Sequence, residues 1–301
     1  MKLFYIETME KKIFGFTTSS WLHLRIPFSL FLMPVYLFAF GVSKQVDWHH
    51  TIISFIAIHL FLYPASNGYN SYFDKDEKSI GGLKKPPKVD KGLFYLSLLF
   101  DLVAFGLALI IHPVFMIMMI TYSLVSRAYS FQGIRLKKYP LTSWVSAGFF
   151  QVSFTFWMAH MAITARTFPA WSNPEILYAG LLTTAMLMGS YPMTQIYQHE
   201  EDGKRGDKTL SMILGIKGTF FFTAIFFALT SLGFFLYFMK YYHTTYGFYF
   251  LGFMAPVAIY FGYWFLKVQE DISFADHNHT MKLNAISALC LGSFFLIMNF
   301  I

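Results

Sequence analysis

Long apolar runs separated by short polar segments dominate the pattern of this chain. Nine runs approach the roughly 20 apolar residues that a helix needs to cross a bilayer. The runs are continuous and do not alternate between apolar and polar positions, which favours helices over a transmembrane β-barrel. We therefore predict transmembrane helices over residues 21–41, 51–70, 92–111, 113–130, 142–163, 176–197, 215–239, 246–267 and 282–301.

The amino-acid composition indicates the same class of protein. The chain has 301 residues, of which 56% are hydrophobic and only 13% are charged, and its mean hydropathy is +0.49. These values are typical of integral membrane proteins rather than water-soluble domains. We predict an all-α fold, a polytopic bundle of nine transmembrane helices that forms one domain over residues 1–301.

The basic residues indicate how the bundle is oriented in the membrane. Of the 23 lysines and arginines, only Lys44, Arg166 and Lys240 fall on one of the two predicted faces. The positive-inside rule then places the N-terminus in the cytoplasm and the C-terminus on the opposite face, and we expect a bacterial inner membrane. Because this asymmetry accounts for the net charge of +7, the charge does not indicate a nucleic-acid partner.

Polar residues form two clusters where predicted spans meet water. In the first cluster Asn67, Asn70 and Asp74 are spaced i, i+3 and i+7, so on a helix they share one face. Further carboxylates follow at Asp76 and Glu77. The second cluster repeats the spacing of the first with two amides and a carboxylate, Gln195, Gln198 and Asp202.

Two carboxylate clusters that converge in a bundle repel each other unless cations lie between them. Oxygen ligands with amide neighbours suit Mg²⁺, which is commonly shared with substrate phosphates. Lysines and arginines beside both clusters can contact the remaining phosphate oxygens. A diphosphate held through Mg²⁺ is the ligand that uses both signs of charge. The alternative is that these residues are solvated charges at helix ends, although polar groups on membrane helices are costly and tend to be functional.

At these residues the chain resembles the UbiA superfamily of intramembrane prenyltransferases, over nearly its whole length. The superfamily has nine helices and two motifs, NxxxDxxxD and DxxxD, that bind a prenyl diphosphate through Mg²⁺. The first motif resembles NSYFD at residues 70–74, but Lys78 stands where its last Asp is expected. The second resembles QHEED at residues 198–202, where Gln198 replaces the first Asp. Four shorter segments also resemble the family, LRIPFS at 24–29, LKKPP at 83–87, YSFQGIRLKKYP at 129–140 and GDKTL at 206–210.

The resemblance implies a site at the cytoplasmic end of a central cavity that opens to that side. It implies that Asp74, Asp202, Arg25 and Lys137 are catalytic, because they stabilise a leaving diphosphate. It implies a metal site built from Asn70, Asp74, Asp76, Glu77, Glu201 and Asp202. The residues expected to bind substrate are Asn67, Asn70, Lys85, Tyr129, Arg135, Gln195, Gln198 and His199.

The function implied is Mg²⁺-dependent transfer of a prenyl group from an isoprenyl diphosphate to an aromatic or other lipophilic acceptor within the bilayer. A membrane terpene cyclase on the same fold and a non-catalytic isoprenoid-binding membrane protein are the alternatives. An ion-coupled transporter is disfavoured, because the carboxylates lie at one membrane face and not near the midplane. Polar residues of the fifth predicted helix could orient the acceptor or bond a neighbouring helix, and these are Gln151, Ser153, Thr155 and His160.

One further acidic residue lies inside a predicted span. Asp101 stands alone in the apolar run LSLLFDLVAF. An ionisable residue at this depth indicates either a functional group or a buried ion pair.

Overall fold

The structure is a computed structural model that describes residues 12–166, 172–298 and 300. Lys2 and Lys11, which contribute to the predicted orientation, lie outside the described residues. The helices before the first motif ends are α1 Thr18–His23, α2 Met33–Gly41, α3 Trp48–Phe55 and α4 Tyr63–Asp74. The middle helices are α5 Gly92–Ile111, α6 Pro113–Ser130, α7 Pro140–Gly148, α8 Thr155–Ile163 and α9 Pro174–Ser190. The last are α10 His199–Arg205, α11 Leu210–Tyr241, α12 Thr244–Glu270 and α13 His277–Ile297.

Shorter elements join or precede these helices. Two-residue strands β1 Lys12–Ile13 and β2 Phe16–Thr17 pair in antiparallel orientation. Turns of 3₁₀-helix and π-helix link consecutive α-helices, and their bounds are Ile26–Leu32, Ile56–Leu62, Leu136–Lys138, Phe149–Phe154, Tyr191–Thr194 and Ile272–Phe274.

The described residues contain seven helical segments long and apolar enough to cross a membrane. They are Thr18–Gly41, Trp48–Asp74, Gly92–Ile111, Pro174–Thr194, Leu210–Tyr241, Thr244–Glu270 and His277–Ile297. The prediction of an all-α membrane fold is therefore confirmed. The predicted spans 113–130 and 142–163 form α6 and the run from α7 to α8, but neither is among the seven. The count of nine membrane-spanning helices stays a prediction.

Proline and capping residues set where several helices begin. Pro113, Pro140 and Pro174 occupy the first turns of α6, α7 and α9, where the missing N–H of proline costs no hydrogen bond. The Thr209 hydroxyl accepts a hydrogen bond from the backbone N–H of Met212 at 3.2 Å and caps α11. Gly215 lies a few residues into this helix with φ +67° and kinks it.

Aromatic stacking holds the centre of the bundle together. Phe38 of α2 stacks on Phe295 of α13 with ring centroids 4.3 Å apart. Phe234 of α11 stacks on Phe250 of α12 at 4.7 Å. Since α9 and α12 both pack on α11, and α12 and α2 both pack on α13, these rings join the two halves of the chain around one interior.

Asp101 proves to be half of a buried ion pair between α5 and α6. It is 4% exposed, accepts a hydrogen bond from the Ser123 hydroxyl at 2.8 Å and pairs with Arg127. The Arg127 guanidinium carbon also lies 4.8 Å from the ring centroid of Tyr69. Both charges are therefore compensated, and Asp101 has a partner without reaching the site described below.

Candidate active site

The two predicted polar clusters meet at one end of the bundle around a polar cavity of about 200 Å³. Ten of the residues singled out from the sequence line it. They are Arg25, Asn67, Asn70, Asp74, Asp76, Tyr129, Lys137, Gln195, Gln198 and Asp202.

The first half of this cavity is built on the end of α4. This helix carries Asn67, Asn70 and Asp74 along one face, as the spacing predicts. It ends at Lys75, which has φ +50°, and the backbone N–H of Lys75 still donates to the carbonyl oxygen of Ser71 at 3.0 Å. This left-handed residue turns the chain back over the cavity, so that Asp76 also faces it.

The second half differs from the prediction of one continuous helix over 176–197. The α-helix ends at Ser190, and Pro192 lies in the 3₁₀ turn that follows. Proline lacks a backbone N–H and cannot continue the ladder of hydrogen bonds. Gln195 and Gln198 therefore lie in the connection to α10, and Asp202 lies on α10 itself. The single-helix stripe was wrong, but all three side chains line the same cavity.

Lys137 and Arg135 hold one group of carboxylates. The Nζ of Lys137 lies 2.5 Å from Asp74 Oδ1 and 3.6 Å from Asp207 Oδ2. Arg135 donates two parallel hydrogen bonds to Asp207, of 2.8 Å from Nε and 2.9 Å from Nη2. Asp207 is only 2% exposed, so this bidentate pair compensates a carboxylate that water scarcely reaches.

Arg205 holds a second group of carboxylates. Its Nη2 donates to Asp202 Oδ1 at 2.8 Å, and its Nη1 donates to Asp76. Burial disfavours the charge of Arg205, but the two carboxylates outweigh this effect and hold its pKa above the usual value. Burial raises the pKa of Asp202, and the hydrogen bond from Arg205 limits that rise.

The loop after α4 is bound directly to α10. Glu201 Oε1 accepts hydrogen bonds from the backbone N–H groups of Glu77 and Lys78, at 3.1 and 2.8 Å. Gln198 Nε2 donates to the carbonyl oxygen of Ser79 at 3.4 Å. These hydrogen bonds therefore fix the position of one half of the site relative to the other.

A second, apolar cavity of about 270 Å³ continues inward from the polar one. The two share Asn67, Asn70, Tyr191 and other lining residues, so a ligand can extend from one into the other. Deeper in the bundle the walls are apolar and aromatic, with Val35, Tyr63, Tyr122, Phe234, Met254 and Phe295 among them. The site therefore has a charged end and an apolar end, which suits an amphipathic ligand.

The sequence model of the UbiA prenyltransferase family matches residues 30–286. The chain belongs to this family. No curated protein matches the chain in sequence.

Solved structures show that this member has the UbiA fold. A UbiA homologue from Archaeoglobus fulgidus bound to GPP and Mg²⁺ is similar with a TM-score of 0.66 and 16% identity, over 94% of this chain and 100% of that one. The same homologue bound to DMAPP and Mg²⁺ gives 0.67 and 16%, with the same coverage. A structure of digeranylgeranylglyceryl phosphate synthase gives 0.60 and 18%, over 94% and 98%. At these identities the likeness concerns the fold.

Five predicted site residues of this UbiA-family chain do not line the polar cavity. Glu77 and Lys85 are exposed. Glu201 uses one carboxylate oxygen to bind backbone N–H groups, as described above. Arg135 reaches the cavity only through Asp207. Burial lowers the pKa of His199, whose Nε2 lies 2.8 Å from the Ser211 hydroxyl.

The described residues contain no preformed cluster of carboxylates at the predicted metal site. Within the described ranges, no three His, Cys, Asp or Glu side chains are grouped so that they could hold a metal ion. Mg²⁺ does not require such a group, because it is commonly bound by one or two carboxylates and substrate phosphates. The Oδ1 of Asn70 is buried without a hydrogen-bond partner in the described part of the chain, and it lines the same cavity as Asp74. This pair offers the oxygen donors that Mg²⁺ prefers.

Sequence reasoning missed several residues that line the cavity. Asp207 lies within the GDKTL segment and Arg205 directly precedes that segment, but neither was expected to line the cavity. The spacing of Asp202 and Arg205, i and i+3 on a short helix, was a readable signal for an ion pair. Tyr191 hydrogen-bonds Tyr129 across the cavity, and no sequence pattern pointed to this pair.

Proposed function

We propose that this chain transfers a prenyl group from an isoprenyl diphosphate to an aromatic or other lipophilic acceptor within the membrane, with Mg²⁺. The observation that carries the proposal is the continuity of the charged cavity with the apolar one. A diphosphate needs the first, and a prenyl chain needs the second. Family membership supports the same reaction class, and the homologue solved with GPP or DMAPP and Mg²⁺ supports the donor and the ion.

The donor diphosphate would lie among the cations of the polar cavity. Lys137 and Arg205 each face it, and Arg25 lines it from the first helical segment. Arg25 has φ +48° and is held by hydrogen bonds from Nη1 to the Gly81 carbonyl at 3.0 Å and from Nη2 to the Asn67 carbonyl at 3.3 Å. Its guanidinium is therefore fixed before the substrate arrives, which favours electrostatic stabilisation of a leaving group.

Asp74 and Asn70 are the residues that would hold Mg²⁺. Bound there, the ion supplies positive charge to the diphosphate oxygens and so favours departure of the leaving group. We leave Glu77 and Glu201 out of this site, because neither lines the cavity.

The reaction begins when the allylic C–O bond breaks and both electrons leave with the diphosphate. Lys137 and Arg25 stabilise the charge that appears there. The allylic cation remains in the apolar cavity, where the rings of Tyr63, Tyr122 and Phe28 line the walls. Aromatic faces stabilise cations, and the apolar walls exclude water that would otherwise capture the cation. A carbon or oxygen of the acceptor forms the new bond, and the acceptor gives up a proton to the departed diphosphate.

Gln151 is the residue of the fifth predicted helix best placed to orient an acceptor. It lines both cavities. The Ser153 hydroxyl instead bonds the Gly180 carbonyl and the Thr184 hydroxyl, and the Thr155 hydroxyl donates to the Phe150 carbonyl at 2.9 Å. Ser153 therefore bonds the neighbouring helix α9, as the alternative interpretation expected, whereas Thr155 bonds its own helical run.

The orientation in the membrane is part of the same proposal. The polar cavity lies at the end of the bundle that carries Lys78, Lys137 and Arg205. The positive-inside rule places this end in the cytoplasm, where soluble prenyl diphosphates would reach the cavity.

The test is an assay of purified protein with Mg²⁺, prenyl diphosphates of several chain lengths and a panel of phenolic acceptors. Inorganic diphosphate and prenylated acceptor should appear in equal amounts with the wild type, and both should be lost with Asp74→Asn. Diphosphate release with a cyclised hydrocarbon and no need for acceptor would instead identify a terpene cyclase. Tight donor binding without release would identify a non-catalytic isoprenoid-binding protein.

A further inference from the structure

The two halves of the site are joined by a network of contacts in which one residue is central. Arg205 of α10 reaches across to the loop after α4 and pairs with Asp76 there, while it also pairs with Asp202 on its own helix. Its Nη1 lies 3.5 Å from the Asp74 carbonyl oxygen, and its Nε lies 3.7 Å from Asp207 Oδ2. One guanidinium thus lies beside three carboxylates and one backbone carbonyl of the four aspartates that line the cavity.

The position of this guanidinium is the one that a cation between the clusters must take. The side chains of Asp76 and Asp202 are 9% and 11% exposed, so water screens their mutual repulsion poorly. A planar guanidinium satisfies two carboxylates at once because its donors point in fixed directions. It also differs from a metal ion in that it cannot dissociate.

The resemblance to the UbiA family predicts aspartates at positions 78 and 198, but the residues present there, Lys78 and Gln198, add no carboxylate to the cavity. Lys78 pairs with Glu200 at 2.5 Å, and both side chains are more than half exposed. Gln198 is neutral and contacts the Ser79 carbonyl. Of the four lining aspartates, Asp76 and Asp202 share Arg205, and Asp207 is bidentate with Arg135. Among the described residues, the carboxylate of Asp74 forms an ion pair only with Lys137.

We propose that Arg205 takes the place of a metal ion between the two halves of the diphosphate site, so that the donor binds with Arg205 and a single Mg²⁺ at Asp74 and Asn70. This inference rests on the proposed function. The Nε of Arg205, which has no hydrogen-bond partner among the described residues, donates to the diphosphate, while the pairs of Arg205 with Asp76 and Asp202 keep both halves assembled. Donor binding therefore depends less steeply on Mg²⁺ than it would with two ions.

The test is calorimetry with geranyl S-thiolodiphosphate, an analogue that does not ionise readily, in excess Mg²⁺ and in EDTA. A separate titration of Mg²⁺ into the protein saturated with the analogue counts the ions bound. For the wild type we expect one Mg²⁺ per bound analogue, and measurable analogue binding in EDTA. Two ions per analogue in the wild type would overturn the inference.

Arg205→Ala leaves Asp76 and Asp202 without their shared cation. We expect its affinity for the analogue in EDTA to fall about 10- to 100-fold, the range for lost hydrogen bonds to a charged group. We also expect the number of bound Mg²⁺ ions to rise from one to two, because the two carboxylates that have lost Arg205 now attract a divalent cation. The matched control is Lys204→Ala on the same helix, because the Lys204 side chain is 68% exposed and its one ion pair among the described residues is with Glu200. It should change neither quantity.

Arg205→Lys covers the case in which the alanine variant does not fold. Lysine keeps the charge but cannot present the planar fork, so the ion count should stay at one while affinity in EDTA falls about tenfold. Unchanged affinity in EDTA with either variant contradicts the role of Arg205. Failure of the wild type to bind the analogue under any condition instead refutes the proposed function, so the two failures are distinguishable.

Discussion

Asp207 offers a sharp test of the ion-pair network, because its two carboxylate oxygens serve three cations. They accept from Arg135 at 2.8 and 2.9 Å, and they lie 3.6 Å from Lys137 Nζ and 3.7 Å from Arg205 Nε. The Asp207→Asn substitution keeps the shape of the side chain and removes its charge. The three cations around it then lose this carboxylate as a partner.

The magnitude follows from which cation has another partner. Lys137 keeps Asp74 at 2.5 Å, and Arg205 keeps Asp202 at 2.8 Å. The side chain of Arg135 is 16% exposed, and its only ion pair among the described residues is that with Asp207. Removing one partner of a buried ion pair costs about 3 to 5 kcal/mol. Because only one of three cations is stranded, we expect the lower end, about 3 kcal/mol.

The assay is the free energy of unfolding of the purified protein in mixed detergent micelles, with Glu200→Gln as the matched control. Glu200 also serves two cations, Lys78 at 2.5 Å and Lys204 at 2.7 Å. These lysines lower its pKa to about 2, yet its side chain is 61% exposed, so solvent and salt screen the pairs. We expect no measurable loss of stability in the control. Equal losses in the two variants, or a loss below about 1 kcal/mol for Asp207→Asn, would show that burial does not make the Asp207 pairs stronger than the exposed pairs of Glu200.

Three further predictions test single residues and the orientation. Arg25→Ala should lower kcat/KM for the prenyl diphosphate about 100-fold, the usual effect of losing one electrostatic donor. Lys85→Ala should leave kcat/KM unchanged, because Lys85 is exposed outside the cavity. Similar losses in both variants would contradict the placement of Arg25 inside the cavity and Lys85 outside it. Burial lowers the pKa of His199, so the unfolded chain binds more protons than the folded one, and the free energy of unfolding should fall as pH drops below 6.5. In His199→Gln this dependence of stability on pH should be shallower, as measured by unfolding at several pH values. An unchanged dependence would exclude His199 as its source. In a Cys290→Ser background, Lys78→Cys should react with an impermeant maleimide from the cytoplasmic side and Lys240→Cys from the opposite side; the reverse labelling would invert the proposed topology.

Helix bounds could be predicted well where residues that end or begin helices separate the apolar runs. Residues 92–111 and 113–130 match α5 and α6, because His112 and Pro113 separate two apolar runs. Pro113 fits the first turn of a helix and not its interior. The prediction was weaker over 176–197, where Pro192 was read through although it ends the α-helical run.

The residues around the polar cavity could also be predicted in large part, since ten of the residues expected at the site line it. Amides and carboxylates at i, i+3 and i+7 on a membrane helix have few roles other than function. What the sequence could not supply is the pairing of charges across elements. Whether Arg205 faces Asp76 or solvent depends on how the loop after α4 folds against α10, which no local pattern specifies. The same limit applies to Glu201, whose carboxylate caps backbone N–H groups of that loop.

The most direct measurement is a cryo-electron microscopy structure of the wild-type protein with geranyl S-thiolodiphosphate and Mg²⁺. We expect diphosphate density within hydrogen-bond distance of Lys137 and Arg205, with the ion beside Asp74 and Asn70. We also expect the prenyl chain to lie in the apolar cavity, towards Phe295. A diphosphate bound outside the polar cavity, or a prenyl chain lying against the lipid-facing surface, would contradict the central claim that the two cavities form one donor site.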